Sequence, residues 1–342
     1  MTETRPAPPV LPHGGSGCDF LDAYYPNAPQ PWLDLSTGIN PWPYPHQPVS
    51  DAAWHRLPSP SLNRECAEAT ASYLGVAPQN IALLPGSQSA ISLLPTLFKP
   101  TSVSILDPTY GEHRPSWELA GHKVRDVDAD LIAAEDTDIL LLTNPNNPNG
   151  RFWTGDEIQR LAAARSRKGQ WLIVDEAFAD VMPSTSAAAL CARNRTIVLR
   201  SFGKFFGLAG LRLGVVVAQE TFARRLEALI GPWAVSGPAL EVGARAYRDV
   251  AWHTDTRERL ASAASRLKGL LTRHGLTYVG GTDLFLLFGH PRAAELFHAL
   301  CTHGLYVRRF AAHPNWLRFG LLPDDAAHAR LDAALLAWTA PA

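Results

Sequence analysis

Five short apolar runs lie between residues 102 and 218: "SVSIL", "DILLLTNP", "WLIVDEAF", "TIVLRSF" and "GVVVA". They are rich in Val, Ile and Leu and do not alternate with polar residues, so the strands they form are covered on both faces. Such strands belong to a mostly parallel sheet with helices packed on either side, which makes the middle of the chain an α/β domain. Between two of the runs, "TGDEIQRLAAARSRKG" opens with Thr154 and places Glu157 three residues later, a capping-box spacing, then closes at Gly169. This is the crossover helix that joins parallel strands.

The flanking regions read differently. After "GPWAVSG" a long helical stretch is expected from about residue 238 into the 270s. Shorter strand-like runs follow, "LTYVG", "LFLLFG", "LYVRRF" and "NWLRFG", with helical "PRAAELFHALCTHG" among them and "PDDAAHARLDAALLAW" at the end. This gives three parts: an N-terminal segment 1–49 packing with the small domain, a large α/β domain 50–235, and a smaller C-terminal α+β domain 236–342. The Pro-rich opening, through "NPWPYPHQP", lacks periodicity and is expected to lie extended.

Acids and bases nearly balance in the 342 residues, for a net charge of -1, which disfavours nucleic acid as a partner. No apolar run approaches the roughly 18 residues of a spanning helix and the start lacks an apolar leader core, so no membrane partner and a cytoplasmic location are expected. Cys18, Cys66, Cys191 and Cys301 are far apart without C-x-x-C pairing, pointing to packed thiols and to neither a metal site nor disulfides.

In an open α/β sheet, ligands bind beyond the carboxyl ends of the strands. The residues just past the runs form a coherent set. "LLPGSQSAI" supplies Gly86, Ser87 and Gln88 where a loop opens a helix, a setting that favours a phosphate. "DPTY" places Tyr110, "NPNNPNG" places Asn147, "VDEAF" places Asp175, and "SFGKFFGLAGLRLG" places Ser201, Lys204 and Arg212. Singly, each has a plainer reading as a turn, a cap or a surface charge. Together they supply an anion cradle, an aromatic face, a carboxylate and an amine nucleophile.

From about residue 30 onward the chain resembles the fold type I pyridoxal-phosphate enzymes of the aspartate aminotransferase superfamily. The resemblance is carried most specifically by S-x-x-K with an arginine eight residues past the lysine, here Ser201, Lys204 and Arg212. It implies that Lys204 joins the pyridoxal 5'-phosphate aldehyde and then serves as acid and base. Ser201, Arg212 and the amides of Gly86 and Ser87 would bind the cofactor phosphate. Asp175 would pair with the pyridine nitrogen with His113 behind it, Tyr110 would stack on the ring, and Asn147 would bond its phenolic oxygen. Lys204, Asp175 and Tyr110 are thus the expected catalytic residues.

The same resemblance bears on the reaction. Arg318 in "NWLRFG" matches the superfamily's carboxylate-binding arginine, and Arg308 in "LYVRRF" stands where the histidinol-phosphate aminotransferase branch holds an anionic tail. Phe178 replaces a tyrosine that in most of these aminotransferases bonds the cofactor's phenolic oxygen. "HGGSG" followed by "WLDLSTGINPWP" is similar to the opening of threonine-phosphate decarboxylases, which make the aminopropanol phosphate linker of cobalamin. That similarity implies that His13, Gly14 and Gly15 enclose a substrate phosphate and that Asn40 reaches the carboxylate end. The expected activity is decarboxylation of L-threonine O-3-phosphate, the alternative an aminotransferase acting on histidinol phosphate or a related amino acid. A homodimer is expected, although Leu57 and Pro58 replace the superfamily's "YP" pair, whose tyrosine crosses to the neighbouring subunit. Gly203 and "NPNG" are further departures. A silent, sensor-like domain is disfavoured by the intact lysine.

Overall fold

A computed structural model describes residue 11, residues 13–15 and residues 17–339. Among them are twelve strands: β1 (Leu33–Leu35), β2 (Ile81–Leu84), β3 (Ser102–Asp107), β4 (Lys123–Asp128), β5 (Ile139–Thr143), β6 (Trp171–Asp175), β7 (Thr196–Ser201), β8 (Gly214–Val217), β9 (Thr277–Thr282), β10 (Phe285–Gly289), β11 (Leu305–Arg309) and β12 (Trp316–Gly320). The chain divides into two compact units. One spans Pro43–Asp255; the other combines residues up to Trp42 with those from Thr256 onward.

The 43–255 unit holds a seven-stranded sheet in the order β2-β8-β7-β6-β5-β3-β4. From β7 through β4 every pairing is parallel, as the apolar runs require. β8 runs antiparallel to both β7 and β2, so "GVVVA" is the exception among the five runs. β2 and β4 were not among those runs. β2 is a short all-buried edge, and β4, "KVRDVD", is a mostly exposed edge whose charges discourage pairing with other chains. The core includes Leu84, Ile105, Leu141, Ile173, Leu199 and Val216. Thr154 and Glu157 form the expected capping box at the start of the Gly155–Arg167 helix.

The expected helix from 238 is two helices, Gly237–Arg248 and Val250–Arg273. Asp249 separates them, and its Oδ1 accepts from the Trp252 amide (3.1 Å). The boundary drawn at 235/236 needs correction, because residues 236–255 belong with the α/β unit. The physical reason is Gly243, which lets its helix lie close: a Cβ there would stand 2.5 Å from Leu213 and 3.1 Å from Cys66 Sγ. Residues 43–49 join this unit as well: Tyr44 donates to Asp249 (3.3 Å), and the His46 carbonyl accepts from Arg245 (2.9 Å).

In the other unit a five-stranded sheet runs β1-β11-β12-β10-β9. β1, from the N-terminal part of the chain, pairs in parallel with β11, and the remaining pairings are antiparallel. Arg330, on the Asp325–Thr339 helix, fastens that segment: its guanidinium donates to the carbonyls of Pro29 (2.7 Å), Pro31 (2.9 Å), His303 (2.8 Å) and Gly304 (3.1 Å). Cys66, Cys191 and Cys301 are buried, and burial pushes the Cys66 and Cys301 thiols up to about 12. Among the described residues no helix is long and apolar enough to cross a membrane.

Arg330→Ala leaves those carbonyls without their charged donor and should cost about 2 kcal/mol. Amide exchange is the measurement: β1 and β11 should exchange faster while β5 and β6 do not change.

Candidate active site

In the α/β unit Asp175 is the last residue of β6. It is 3% exposed, and its Oδ1 accepts from the Ala177 amide at 3.0 Å. Its Oδ2 lies 2.9 Å from Nε2 of the buried His113. An ionised carboxylate can only accept, so the ring proton belongs on Nε2. The other nitrogen, Nδ1, is buried with no hydrogen-bond partner. Tyr110 stands edge-on to His113, ring centroids 5.9 Å apart, and its hydroxyl donates to Gln88 Oε1 at 3.3 Å. The aromatic face and the carboxylate are therefore positioned through one imidazole.

The anion cradle differs in detail from expectation. The Gly86 amide donates to the Leu84 carbonyl (2.8 Å), so this glycine contributes space where an N–H was expected. Its φ is +85°, and a Cβ would stand 2.3 Å from Arg212 Nη2. Gly214 plays a matching part in β8, since a Cβ there would meet the Ser87 nitrogen at 2.3 Å. Two glycines thus let the 86–87 backbone, β8 and the Arg212 guanidinium pack together. Arg212 itself has φ 56°, the left-handed region that a side chain seldom adopts, and its Nη1 donates to the Ala209 carbonyl (3.0 Å).

Ser201 ends β7 opposite Gly214, and Lys204 sits on the single helical turn Phe202–Phe205 just beyond. The Lys204 Nζ lies 5.8 Å from the centroid of the Phe178 ring, which is 4% exposed and carries no hydroxyl. Asn147 is half-buried in the loop after β5. Its neighbour Asn146 ties that loop to the one bearing Tyr110, donating to the Pro108 carbonyl (2.8 Å) and accepting from Thr109 Oγ1 (2.8 Å).

One buried ionic network was not expected from the sequence. Arg200, 4% exposed, reaches from β7 to pair with Glu176 at 2.8 Å and with Asp180. Burial opposes its charge, yet the Asp180 and Glu176 carboxylates hold the guanidinium above its usual value. Tyr73 also donates to Asp180 (2.8 Å). The available signal was a lone arginine at the end of an otherwise apolar run, which must find acidic partners, and "DEAFAD" supplies them.

The six residues expected to bind substrate all belong to the other unit. Arg308 and Arg318 are direct partners across β11 and β12. Like charges placed so are destabilising unless an anion joins them. Arg318 is 7% exposed; its Nη2 donates to the Ser36 carbonyl (2.8 Å), and its guanidinium lies 5.0 Å from the Phe285 ring centroid. Arg308 donates to the Leu11 carbonyl. Gly15 donates its amide to Ser36 Oγ (3.0 Å), which puts the His13–Gly15 segment beside the residue Arg318 touches. Asn40 is buried, and its Oδ1 accepts from the Trp42 amide (2.9 Å), so this oxygen serves a local turn.

This strand-end constellation defines a class. The profile of the aminotransferase class I and II family matches residues 46–333, and the chain belongs to that family. A threonine-phosphate decarboxylase of Pseudomonas aeruginosa is 44% identical over 91% of this chain and 93% of its own. One from Sinorhizobium sp is 44% identical over 94% of this chain and 97% of its own. Among solved structures, histidinol-phosphate aminotransferase from Sinorhizobium meliloti in complex with pyridoxal-5'-phosphate matches with a TM-score of 0.80 at 19% identity, covering 95% of each chain. The fold is therefore that of the family.

A Gly214→Ala substitution should push the 86–87 backbone out of place and weaken binding of pyridoxal phosphate by about tenfold or more. Titration of the apoprotein, followed by the cofactor's absorbance, measures this; unaltered affinity would remove Gly214 from the cradle.

Proposed function

We propose that this chain catalyses the pyridoxal-phosphate-dependent decarboxylation of L-threonine O-3-phosphate to (R)-1-aminopropan-2-ol O-phosphate. The observation that carries the reading is 44% identity to two threonine-phosphate decarboxylases over 91% and 94% of the chain. The facing Arg308 and Arg318 support it, because this substrate carries two anionic groups.

The residues of the 43–255 unit fit the cofactor: Arg212 and the 86–87 backbone form an anion cradle that a Cβ at Gly86 or Gly214 would fill, and a buried carboxylate stands at Asp175. When bound, pyridoxal phosphate supplies an electron sink for the pair left at Cα when the bond to the carboxylate breaks. Lys204 would hold the cofactor through its aldehyde, and its Nζ would move protons at the substrate Cα. Asp175, kept in orientation by His113, would hold the proton of the pyridine nitrogen. Ser201 and Arg212 would bind the cofactor phosphate, Tyr110 would cover the ring, and Asn147 would bond its phenolic oxygen. Phe178 brings a hydrocarbon face to the Lys204 amine in place of a second hydroxyl. Arg318 takes the substrate carboxylate, with Asn40 near that end, and Arg308 takes the phosphate with His13, Gly14 and Gly15. The Cα–carboxylate bond breaks, CO2 departs, and a proton from Lys204 Nζ replaces it, so no keto acid is consumed. The product is the linker of cobalamin that the sequence resemblance implies, and a cytoplasmic location goes with that role.

A homodimer belongs to the same reading. Trp233 (60% exposed) lines a cleft of about 320 Å³ with Pro58 and Ile230, and Leu57 (66% exposed) adjoins it. Apolar side chains this exposed suit a covered interface. Sedimentation should give twice the chain mass, and Trp233→Asp should shift the protein toward monomer; a monomeric parent protein would exclude the dimer.

With pyridoxal phosphate, L-threonine O-3-phosphate and no keto acid, the purified protein should release CO2 and form aminopropanol phosphate in equal amounts. Lys204→Ala should abolish turnover while the protein remains folded by circular dichroism. Absence of CO2, with glutamate formed from histidinol phosphate and 2-oxoglutarate, would instead identify an aminotransferase.

A further inference from the structure

Ser36 follows β1 and is wholly buried, at 0% exposure. Its peptide N–H and its hydroxyl both donate to Asp34 Oδ1, at 2.8 and 2.5 Å. A carboxylate can only accept, so the hydroxyl proton is committed to Asp34 and the oxygen's lone pairs turn elsewhere. One of them accepts the Gly15 amide at 3.0 Å, while the Ser36 carbonyl accepts Arg318 Nη2 at 2.8 Å. Packing repeats the pattern: a Cβ on Gly14 would stand 2.6 Å from both the Ser36 carbonyl oxygen and Oγ. Glycine at 14 is what allows the segment to lie against this serine, and Gly15, at φ +90°, needs the freedom of a glycine to turn there.

We propose that Ser36 is a positioning residue that couples recognition of the two anionic ends of an amino acid O-phosphate: its hydroxyl anchors the His13–Gly15 segment and its carbonyl orients Arg318. The inference rests on the reading above, in which that segment encloses the phosphate and Arg318 takes the carboxylate. Asp34 sets the direction of the Ser36 hydroxyl and so acts one step further back. Loss of Oγ keeps every group that touches substrate but frees the segment from its anchor, so the phosphate contributes less to binding. The carboxylate contact survives, because it depends on the Ser36 main chain.

The test compares the Ser36→Ala holoenzyme with the parent, using L-threonine O-3-phosphate as substrate and L-threonine as a competing ligand without the phosphate. A single neutral hydrogen bond sets the scale, so KM for the phosphorylated substrate should rise about fivefold while kcat and the L-threonine inhibition constant change by less than about twofold. Gly15 amide exchange in the ligand-free protein should also accelerate. Equal weakening of both ligands, or of neither, overturns the proposal. A parent protein that releases no CO2 from the substrate overturns the functional reading instead, whereas unaltered Gly15 exchange in Ser36→Ala overturns the anchor itself.

Discussion

The α/β unit depends on a charge buried in a sheet strand. Arg200 lies at the end of β7 and pairs with Glu176 and Asp180, both 3% exposed or less. Placing these ions out of water is costly, and removing one partner from such a group typically costs about 3–5 kcal/mol, because the others stay buried without compensation. The chain therefore has to hold the two strand ends together. Ser201 and Lys204 follow Arg200 directly, while Glu176 and Asp180 bracket the loop that carries Phe178 and follows Asp175. Lys204, on the turn just past β7, and Asp175, at the end of the neighbouring β6, thus lie on chain segments joined by a contact that touches neither side chain. Ser186, which donates to Glu176 at 2.6 Å, and Tyr73, which donates to Asp180, occupy further lone pairs of the acids. That satisfaction is what makes a buried ionic group tolerable.

The other unit solves a similar problem with main-chain carbonyls. Arg330 gathers four of them around the N-terminal segment, and Arg318 takes one more at Ser36. A guanidinium suits this work because its donors form a fixed planar fork. Pairing β1 with β11 sets Asp34 opposite Tyr306 and leaves Ser36 one residue past the end of the ladder. The position of the His13–Gly15 segment then follows from the sheet, through a side chain whose proton is already assigned.

Much of this was legible in the sequence, and the parts that were not share a cause. Apolar runs such as "DILLLTNP" announce buried parallel strands because every residue must avoid water, and the Thr154 capping box announces a helix start because its partners are three residues apart. Both are local rules. β4 was missed because an exposed edge strand needs no apolar signature, and the division at 235/236 was misplaced because helix packing at Gly243 involves residues distant in sequence. The break at Asp249 was hidden by apolar spacing that continues through it. Among the site residues, Lys204 and Asp175 were reached through a motif. The work of Arg200 and Ser36 lies in contacts to other loops and left no spacing to read. Gly86 was identified for its amide, but in the structure that amide serves Leu84 and the glycine instead gives Arg212 room.

These observations bear on how one family supports different reactions. Residues that hold the cofactor cannot choose among reactions that all require it, so the choice falls to groups that touch the substrate or the bonds about to break. Under the decarboxylase reading proposed above, two features of this chain are candidates for that choice. Phe178 presents a hydrocarbon ring, without a hydroxyl, 5.8 Å from the Lys204 amine. Arg308 and Arg318 face each other across β11 and β12, and the His13–Gly15 segment is hydrogen-bonded to Ser36, so two cations and a glycine-rich segment lie within one unit. Ser36 holds that segment and Arg318 through separate atoms, its hydroxyl for the one and its carbonyl for the other, and holding groups in fixed positions is how a chain far from the reacting atoms can bear on orientation.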